Sequence, residues 1–284
     1  MLSNPEISVV IPVRNGMPYL PAAVESVLEN SLDGLNVEIV ISDNYSTDET
    51  SDYLSRLTDP RITVVRPPRP LSAAGNWTFV TQRANAPLVK LLCADDVLYQ
   101  GGLQNQVTIM SEHPECILVS SNRSVIDRSG KKLIQSMSRP LAPGVHEARE
   151  VLNRIWLDAR NHIGEPSAVT FRRDPLLQAL PWDETIPYVL DLELYVRLLS
   201  QGSIFISNRL DSGFRVHPSG WSSKIAKDQD EQFFEFYKKV SPGFYGKSNF
   251  TKLRTIRVWV LSKIQMRLRN SLYLYLKITD RNSQ

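Results

Sequence analysis

The feature that most constrains this chain is a strict alternation across its first hundred residues. Short apolar, β-branched runs take turns with segments whose apolar residues recur at helical spacing. The runs are Ile7 to Val13, Val37 to Ser42, Ile62 to Val65 and Leu88 to Leu92. Turn signals or polar clusters close them: Arg14-Asn15-Gly16, Asp43-Asn44-Tyr45-Ser46 and Pro67-Pro68 after the first three. Between them Leu20, Val24, Val27 and Leu28 keep a 3.6-residue period, as do Tyr53, Leu54 and Leu57, and residues 72–84 suit a third helix. Ser46 with Glu49 three residues on has the pattern of a capping box. Strands and helices in alternation predict a doubly wound, mostly parallel sheet flanked by helices. The last run matters most, because Lys90 to Leu98 reads Lys-Leu-Leu-Cys-Ala-Asp-Asp-Val-Leu and ends in two adjacent acids. Ligands in open α/β sheets sit beyond the carboxyl ends of the strands, so Asp95 and Asp96 stand where a site belongs. Neighbouring carboxylates stay ionised together only beside Arg, Lys or a cation, and Mg²⁺ or Mn²⁺ prefers such oxygens. Solvated loop acids or a helix cap are the plainer alternatives.

Beyond residue 100 the pattern changes. Leu103, Val107 and Met110 mark one more helix. Cys116 to Ile126 and Lys131 to Gln135 flank Asp127-Arg128-Ser129-Gly130 and read as a hairpin, while residues 140–146 read as loop. Glu147 to Trp156 is an expected helix, Ser167 to Phe171 a strand, Asp191 to Leu199 a helix, and Ile204 to Ile206 a short strand. The expected organisation is one fused domain with a first half over residues 1–112 and a second over residues 113–240. A basic, amphipathic helical tail follows over residues 241–284. There Ile256, Val258, Trp259, Val260, Leu261, Ile264, Met266 and Leu268 mix with Lys252, Arg254, Arg257, Lys263, Arg267 and Arg269, a composition that suits an anionic membrane surface. Packing on the domain or in a dimer is the alternative.

Charge argues against a nucleic-acid partner, since Lys+Arg 33 against Asp+Glu 30 leaves only +3. Cys93 and Cys116 both fall in apolar runs and are expected as free thiols in a reducing compartment. The opening residues lack a basic region, and no uncharged stretch nears the roughly 18–20 apolar residues that span a bilayer, so a cytoplasmic protein is expected.

Val9-Val10-Ile11-Pro12-Val13-Arg14-Asn15, Asp43 to Thr50, Asn76-Trp77 and Leu91 to Leu98 together resemble the nucleotide-binding half of the family 2 inverting glycosyltransferases, which have the GT-A fold. Gly164-Glu165-Pro166-Ser167, Leu190-Asp191-Leu192-Glu193-Leu194 and Phe214-Arg215-Val216-His217 extend the resemblance over about residues 6–222. It implies transfer of a sugar from a nucleoside diphosphate sugar, a UDP-sugar foremost, to a hydroxyl of a glycan or lipid-linked acceptor of bacterial-type surface polysaccharide. Asp43 would accept from the base, Pro12, Val13 and Asn15 would line it, and Asn76 would lie beside the nucleotide. Asp95 would reach the ribose or the metal. Asp96, at a solvent-accessible strand end, would hold a Mn²⁺ or Mg²⁺ ion between the phosphates, with Arg215 and His217 near the diphosphate and His217 a further metal ligand. Asp191 would be the general base that takes the acceptor's proton, with Glu193 second.

Two positions depart from the family pattern: Cys93 stands where many relatives carry a first aspartate, and Leu190 where the usual acid precedes Asp191. Both favour the rival expectation, a transferase-like module that binds sugar nucleotide or glycan without turnover. A dinucleotide oxidoreductase is disfavoured, because the first strand is not followed by a Gly-x-Gly-x-x-Gly turn.

Overall fold

The structure is a computed structural model that describes residues 4–31, 34–137, 140–224, 228–245 and 252–281. Its first half builds the expected alternation: β1 (Ile7–Val13), α1 (Leu20–Asn30), β2 (Val37–Asp43), α2 (Thr50–Ser55), β3 (Ile62–Val65), α3 (Ala73–Thr81) and β4 (Leu88–Leu91). A short β5 (Val97–Leu98) and α4 (Gly102–Glu112) complete it. The second half holds β6 (Cys116–Ile126), β7 (Lys132–Ile134), β8 (Gly144–His146), α5 (Ala148–Asp158), β9 (Val169–Arg172), α6 (Arg173–Ala179), α7 (Leu190–Leu199) and β10 (Ser203–Arg215). Three helices follow: α8 (Trp221–Lys224), α9 (Gln229–Tyr245) and α10 (Lys252–Arg281).

One sheet runs through both halves in the order β3-β2-β1-β4-β9-β6-β10-β5, with β7 on β6 and β8 on β10. Strands β1 to β4 are parallel, β6 and β10 form a second parallel pair, and β9 joins the groups antiparallel to β4 and β6. The period-2 rule divides the core. Ile7, Val9, Ile11 and Val13 of β1 face one apolar cluster with α1 and α4, whereas Val10 faces the other with Trp156, Phe171, Trp182 and Tyr195.

Three local expectations are corrected. Ser46 does not cap α2: Glu49 is the N-cap, and the Ser46 hydroxyl instead accepts from the Asn15 N–H at 2.9 Å. Residues 144–146 are a strand, held antiparallel to Ile204–Ile206, and not loop. The short strand expected at 204–206 is the start of a thirteen-residue β10, whose pairing with β6 shifts register between Ile206 and Ser212. Its polar middle, Ser207-Asn208-Arg209, hides the continuity from a pattern search. The helical tail is present from Lys252, and the expectation for residues 246–251 lies outside the described residues.

Candidate active site

β4 ends at Leu91, and the chain turns where the Asp96 N–H donates to the Cys93 carbonyl at 3.0 Å. It then runs back as β5 beside the end of β10, pairing Val97 with Gly213 and Leu98 with Ser212. Gly213 is required there, since a Cβ would sit 2.7 Å from the Tyr99 hydroxyl. This junction brings Arg215 onto both aspartates. Its backbone N–H donates to Asp96 Oδ1 at 2.8 Å and its Nε to the Asp95 carbonyl at 2.7 Å, while Nη1 bonds the carbonyls of Asp127 and Arg128 at 2.9 and 3.1 Å. The guanidinium thus ties the hairpin loop to the strand end and faces the Tyr19 ring at 5.0 Å.

The two acids have different surroundings. Asp95 is 32% exposed in its side chain and pairs with His217 Nε2 at 2.9 Å. His217 is itself fixed by Ser219 at Nδ1, 2.9 Å, and packs on Tyr19 with ring centroids 4.6 Å apart. Asp96 is 0% exposed, in contrast to the solvent-accessible strand end expected for it. One of its oxygens accepts from the Ser167 hydroxyl at 2.5 Å and the other from Arg215. Burial, with the Asp95 charge beside it, pushes its carboxyl up to about 8. Asp95, Asp96 and Cys93 offer donor atoms within 4.8 Å of one another. The Cys93 thiol is held well above its ordinary range by burial and by the two aspartates, so it contributes no anion. Two crowded carboxylates with an imidazole alongside are a donor set that a divalent cation relieves, and the residues fit one.

Asp191 lines the same cleft from the start of α7. Leu192 N–H donates to its Oδ1 at 2.8 Å and Asn161 Nδ2 to its Oδ2 at 3.1 Å. Burial pushes its carboxyl up to about 6, against the lowering effect of the Leu192 bond and of Arg123 and Arg269. Glu193 points elsewhere and binds Arg197 through both oxygens, at 2.6 to 2.9 Å. Asp95, His217 and Asp191 line one cavity of about 260 Å³, together with Cys93, Trp77 and Glu165. Leu190, buried, replaces an acid on that wall with an apolar surface.

The other expected residues lie at the ends of β1 and β2. Pro12 and Val13 are buried opposite Ser42 and Asp43, and Asn15, at φ 56°, accepts from the Thr47 N–H at 2.7 Å. Asp43 accepts from Ser46, Ser51 and Arg66; burial alone would raise its carboxyl, but these bonds hold it at about 2. Asn76 is buried, with its amide on Ser42 at 2.6 Å. The cavity wall also carries Arg123, Arg160, Asn161 and Arg269, none of which was a sequence candidate. Arg123 left a signal, as the one charged residue of β6, where the structure pairs it with Glu165.

With this geometry in hand, comparisons with known proteins are informative. The family model described as "Glycosyl transferase family 2" matches residues 8–178, more than half of the chain. A Mycobacterium tuberculosis relative, "Uncharacterized protein MT1568", is 27% identical over 217 residues, covering 73% of this chain and 66% of its own. The Escherichia coli "UDP-Glc:alpha-D-GlcNAc-diphosphoundecaprenol beta-1,3-glucosyltransferase WfaP" is 30% identical over 104 residues, covering 37% and 41%. Among solved structures, Staphylococcus aureus TarS 1-349 in complex with UDP-GlcNAc superposes with TM-score 0.63 at 17% identity, over 90% of this chain and 79% of that one. The mannosyltransferase PcManGT of Pyrobaculum calidifontis, in complex with GDP-Man and Mn²⁺, gives 0.61 at 14%, over 96% and 81%. Both share the fold of this chain, a GT-A sheet flanked by helices. By the family match over residues 8–178, the chain belongs to glycosyl transferase family 2 and is a glycosyltransferase.

Proposed function

We propose that this glycosyltransferase moves a sugar from a UDP-sugar to a hydroxyl of a glycan or lipid-linked acceptor, with inversion, in bacterial surface polysaccharide synthesis. The observation that carries the reading is that Asp95, His217 and Asp191 line one cavity. Residues 1–112 bind the donor, residues 113–240 shape the acceptor side, and residues 241–284 form the tail. The TarS complex with UDP-GlcNAc favours uridine. Asp43 suits it too, as a carboxylate held ionised at the end of β2 and therefore an acceptor for an imide N–H. Asn15 and Asn76 act on the nucleotide indirectly, by holding the β1 and β2 loops.

Asp95 and His217 would hold a Mn²⁺ or Mg²⁺ ion, with Asp96 behind them as the buried third donor. When bound, the cation supplies charge neutralisation of the departing diphosphate. Asp191 takes the proton from the attacking hydroxyl, and a carboxyl near pKa 6 is ionised at neutral pH yet basic enough for the task. Asn161 and the Leu192 N–H keep that carboxylate oriented, and Trp77 and Val189 narrow access of water to it.

The second reading, a binding module without turnover, is favoured by the neutral Cys93 and the apolar Leu190. Slow hydrolysis of UDP-sugars in the presence of Mn²⁺ separates the two: release of UDP above the uncatalysed rate supports the enzyme, and binding without release supports the module. A thermal-shift panel of nucleotide sugars with and without Mn²⁺ then identifies the base and sugar.

We also propose that the outer face of α10 meets an anionic membrane surface, with the protein on its cytoplasmic side. No helix of the described residues is long and apolar enough to cross a membrane. On α10, however, Leu253, Ile256, Val260, Ile264, Leu268 and Leu274 are all exposed along one stripe, opposite the buried Val258 and Ser262. Its only acidic residue is Asp280, against eight Lys and Arg. Such a charge disfavours self-pairing and favours anionic lipid.

A further inference from the structure

We infer that the acceptor carries a phosphate group and that Arg160 and Arg269 bind it. The inference rests on the cleft being the glycosyl-transfer site. Both side chains line the same cavity as Asp191; Arg160 follows the C-terminus of α5, and Arg269 projects from the inner face of α10.

What sets these two cations apart is their company. Arg269 bonds the Tyr188 hydroxyl and the Gln229 side-chain oxygen, both neutral, and lies over the Tyr188 ring at 4.9 Å. Arg160 has a 3.9 Å contact with the Met137 sulfur. Its nearby acid, Asp158, already holds Arg154 and His162, each at 2.8 Å. Among the described residues, neither guanidinium has a carboxylate within 4.0 Å, whereas Arg123 on the same wall is paired with Glu165. Burial and the Arg269 charge both act against the ionised form of Arg160. Two half-buried cations that repel each other across an open cavity are stabilised by an anion between them. The planar guanidinium fork matches phosphate oxygens two at a time. With a neutral sugar acceptor the two charges would be offset at a distance, by Asp158 and Asp191, without a direct partner.

The donor's own diphosphate does not answer this need. It belongs beside Asp95 and His217, whereas Arg269 on α10 acts on Asp191 and Arg160, just after α5, acts on Arg269. The phosphate has two chemical sources: a soluble phosphorylated glycan, or a lipid phosphate. The architecture makes the second reachable, because the helix that carries Arg269 inward also turns its exposed apolar stripe outward.

The test uses the full chain saturated with UDP and Mn²⁺, so that the donor pocket is filled. Calorimetric titrations follow with glucose 1-phosphate, farnesyl phosphate and neutral methyl glucoside. The expected result is binding of at least one phosphate probe, with methyl glucoside at least about tenfold weaker. Arg160→Gln and Arg269→Gln should each weaken the phosphate probe by about tenfold, the loss of one charge-assisted contact. Arg160→Lys, which keeps charge but not the fork, should fall between; Arg149→Gln, exposed on α5 outside the cleft, should match wild type. UDP titrated separately and a melting curve report the donor pocket and the fold of every variant. Farnesyl phosphate binding more tightly than glucose 1-phosphate assigns the lipid source, and the reverse order the soluble one. Folded Arg160→Gln and Arg269→Gln proteins that bind phosphate as wild type does overturn the inference, as does equal affinity for methyl glucoside. UDP binding without phosphate binding overturns this inference alone, and absence of UDP binding overturns the donor reading with it.

Discussion

Replacing Asp191 with Asn tests the proposed base at the level of single hydrogen bonds. The carboxylate accepts from Leu192 N–H on one oxygen and from Asn161 Nδ2 on the other. An amide can keep only the first, because its NH₂ would then face the NH₂ of Asn161. Asn161 cannot turn over to help, since its Oδ1 already accepts from the N–H groups of Ile163 and Gly164 at 2.9 and 3.0 Å. The variant should therefore lose about 1–3 kcal/mol of stability through mismatched donors. Its turnover should fall by about 10²–10⁴-fold, the span of general base catalysis. The pH profile separates the two effects. With a carboxyl near 6, about one tenth is ionised at pH 5 and about nine tenths at pH 7. Wild-type kcat/KM should thus climb roughly tenfold over that range and then level off. The assay is UDP release from the donor sugar with Mn²⁺, in buffers from pH 4.5 to 8, alongside calorimetric UDP affinity. Folded Asp191→Asn protein that keeps turnover within threefold, or that retains the acid limb, would refute the assignment.

Further outcomes are expected elsewhere in the molecule. Asp95→Asn should abolish the Mn²⁺-dependent part of UDP affinity with little change in melting temperature, whereas Asp96→Ala should lose both. The removed side chain leaves Ser167 and the Arg215 N–H without partners in a dry site, at roughly 1–3 kcal/mol; calorimetry and melting curves measure the two parts. Truncation before Lys252 should lower recovery with anionic liposomes in flotation, and equal recovery would remove the membrane assignment. Lys90 is buried in β4 with its Nζ on Gln106 at 2.9 Å, and burial lowers its pKa to about 7 although Asp211 opposes this. Between pH 7 and 10 the unfolded chain holds a proton that the folded chain has lost, so stability should rise with pH in that window. Lys90→Met should flatten the rise in melting temperature.

The first half was legible because β1, β2 and β4 are mostly apolar and buried, the edge strand β3 is a short β-branched run, and turn residues or polar clusters close the first three. Asp95 stood out because an acid pair that closes an apolar strand has no packing role there, whereas Asp191 and His217 were singled out by the family resemblance; the structure brings all three to one cavity. What escaped were residues whose meaning depends on distant partners. The Ser167 hydroxyl matters because it meets Asp96 from seventy-one positions away, and nothing adjacent to it announces that. Arg160 and Arg269 look like ordinary surface cations until α5 and α10 bring them to one wall. β10 was cut short because its middle is polar, yet it is held by the backbone ladders of β6 and β8 at one end and of β6 and β5 at the other. The same lack of local signal hid β8, whose three residues acquire strand form only from Ile204–Ile206.

The join between β5 and β10 limits how this protein can be recombined. The turn that presents Asp95 and Asp96 belongs to the donor-side half by position, but its lock is made by Gly213 and Arg215, more than a hundred residues later. A chimera that grafts a foreign acceptor half after residue 112 would deliver the aspartates without the backbone N–H and the guanidinium that hold them. An exchange of acceptor specificity must therefore keep residues 210–217 from the donor parent, or take both sides of the joint from the same protein. A chain ended at Leu177 or Gln178, where the family match stops, would have its buried Asp96 facing open β-strand edge in place of β10. For engineering and for inheritance alike, the transferable unit is the strand-end turn together with the last strand.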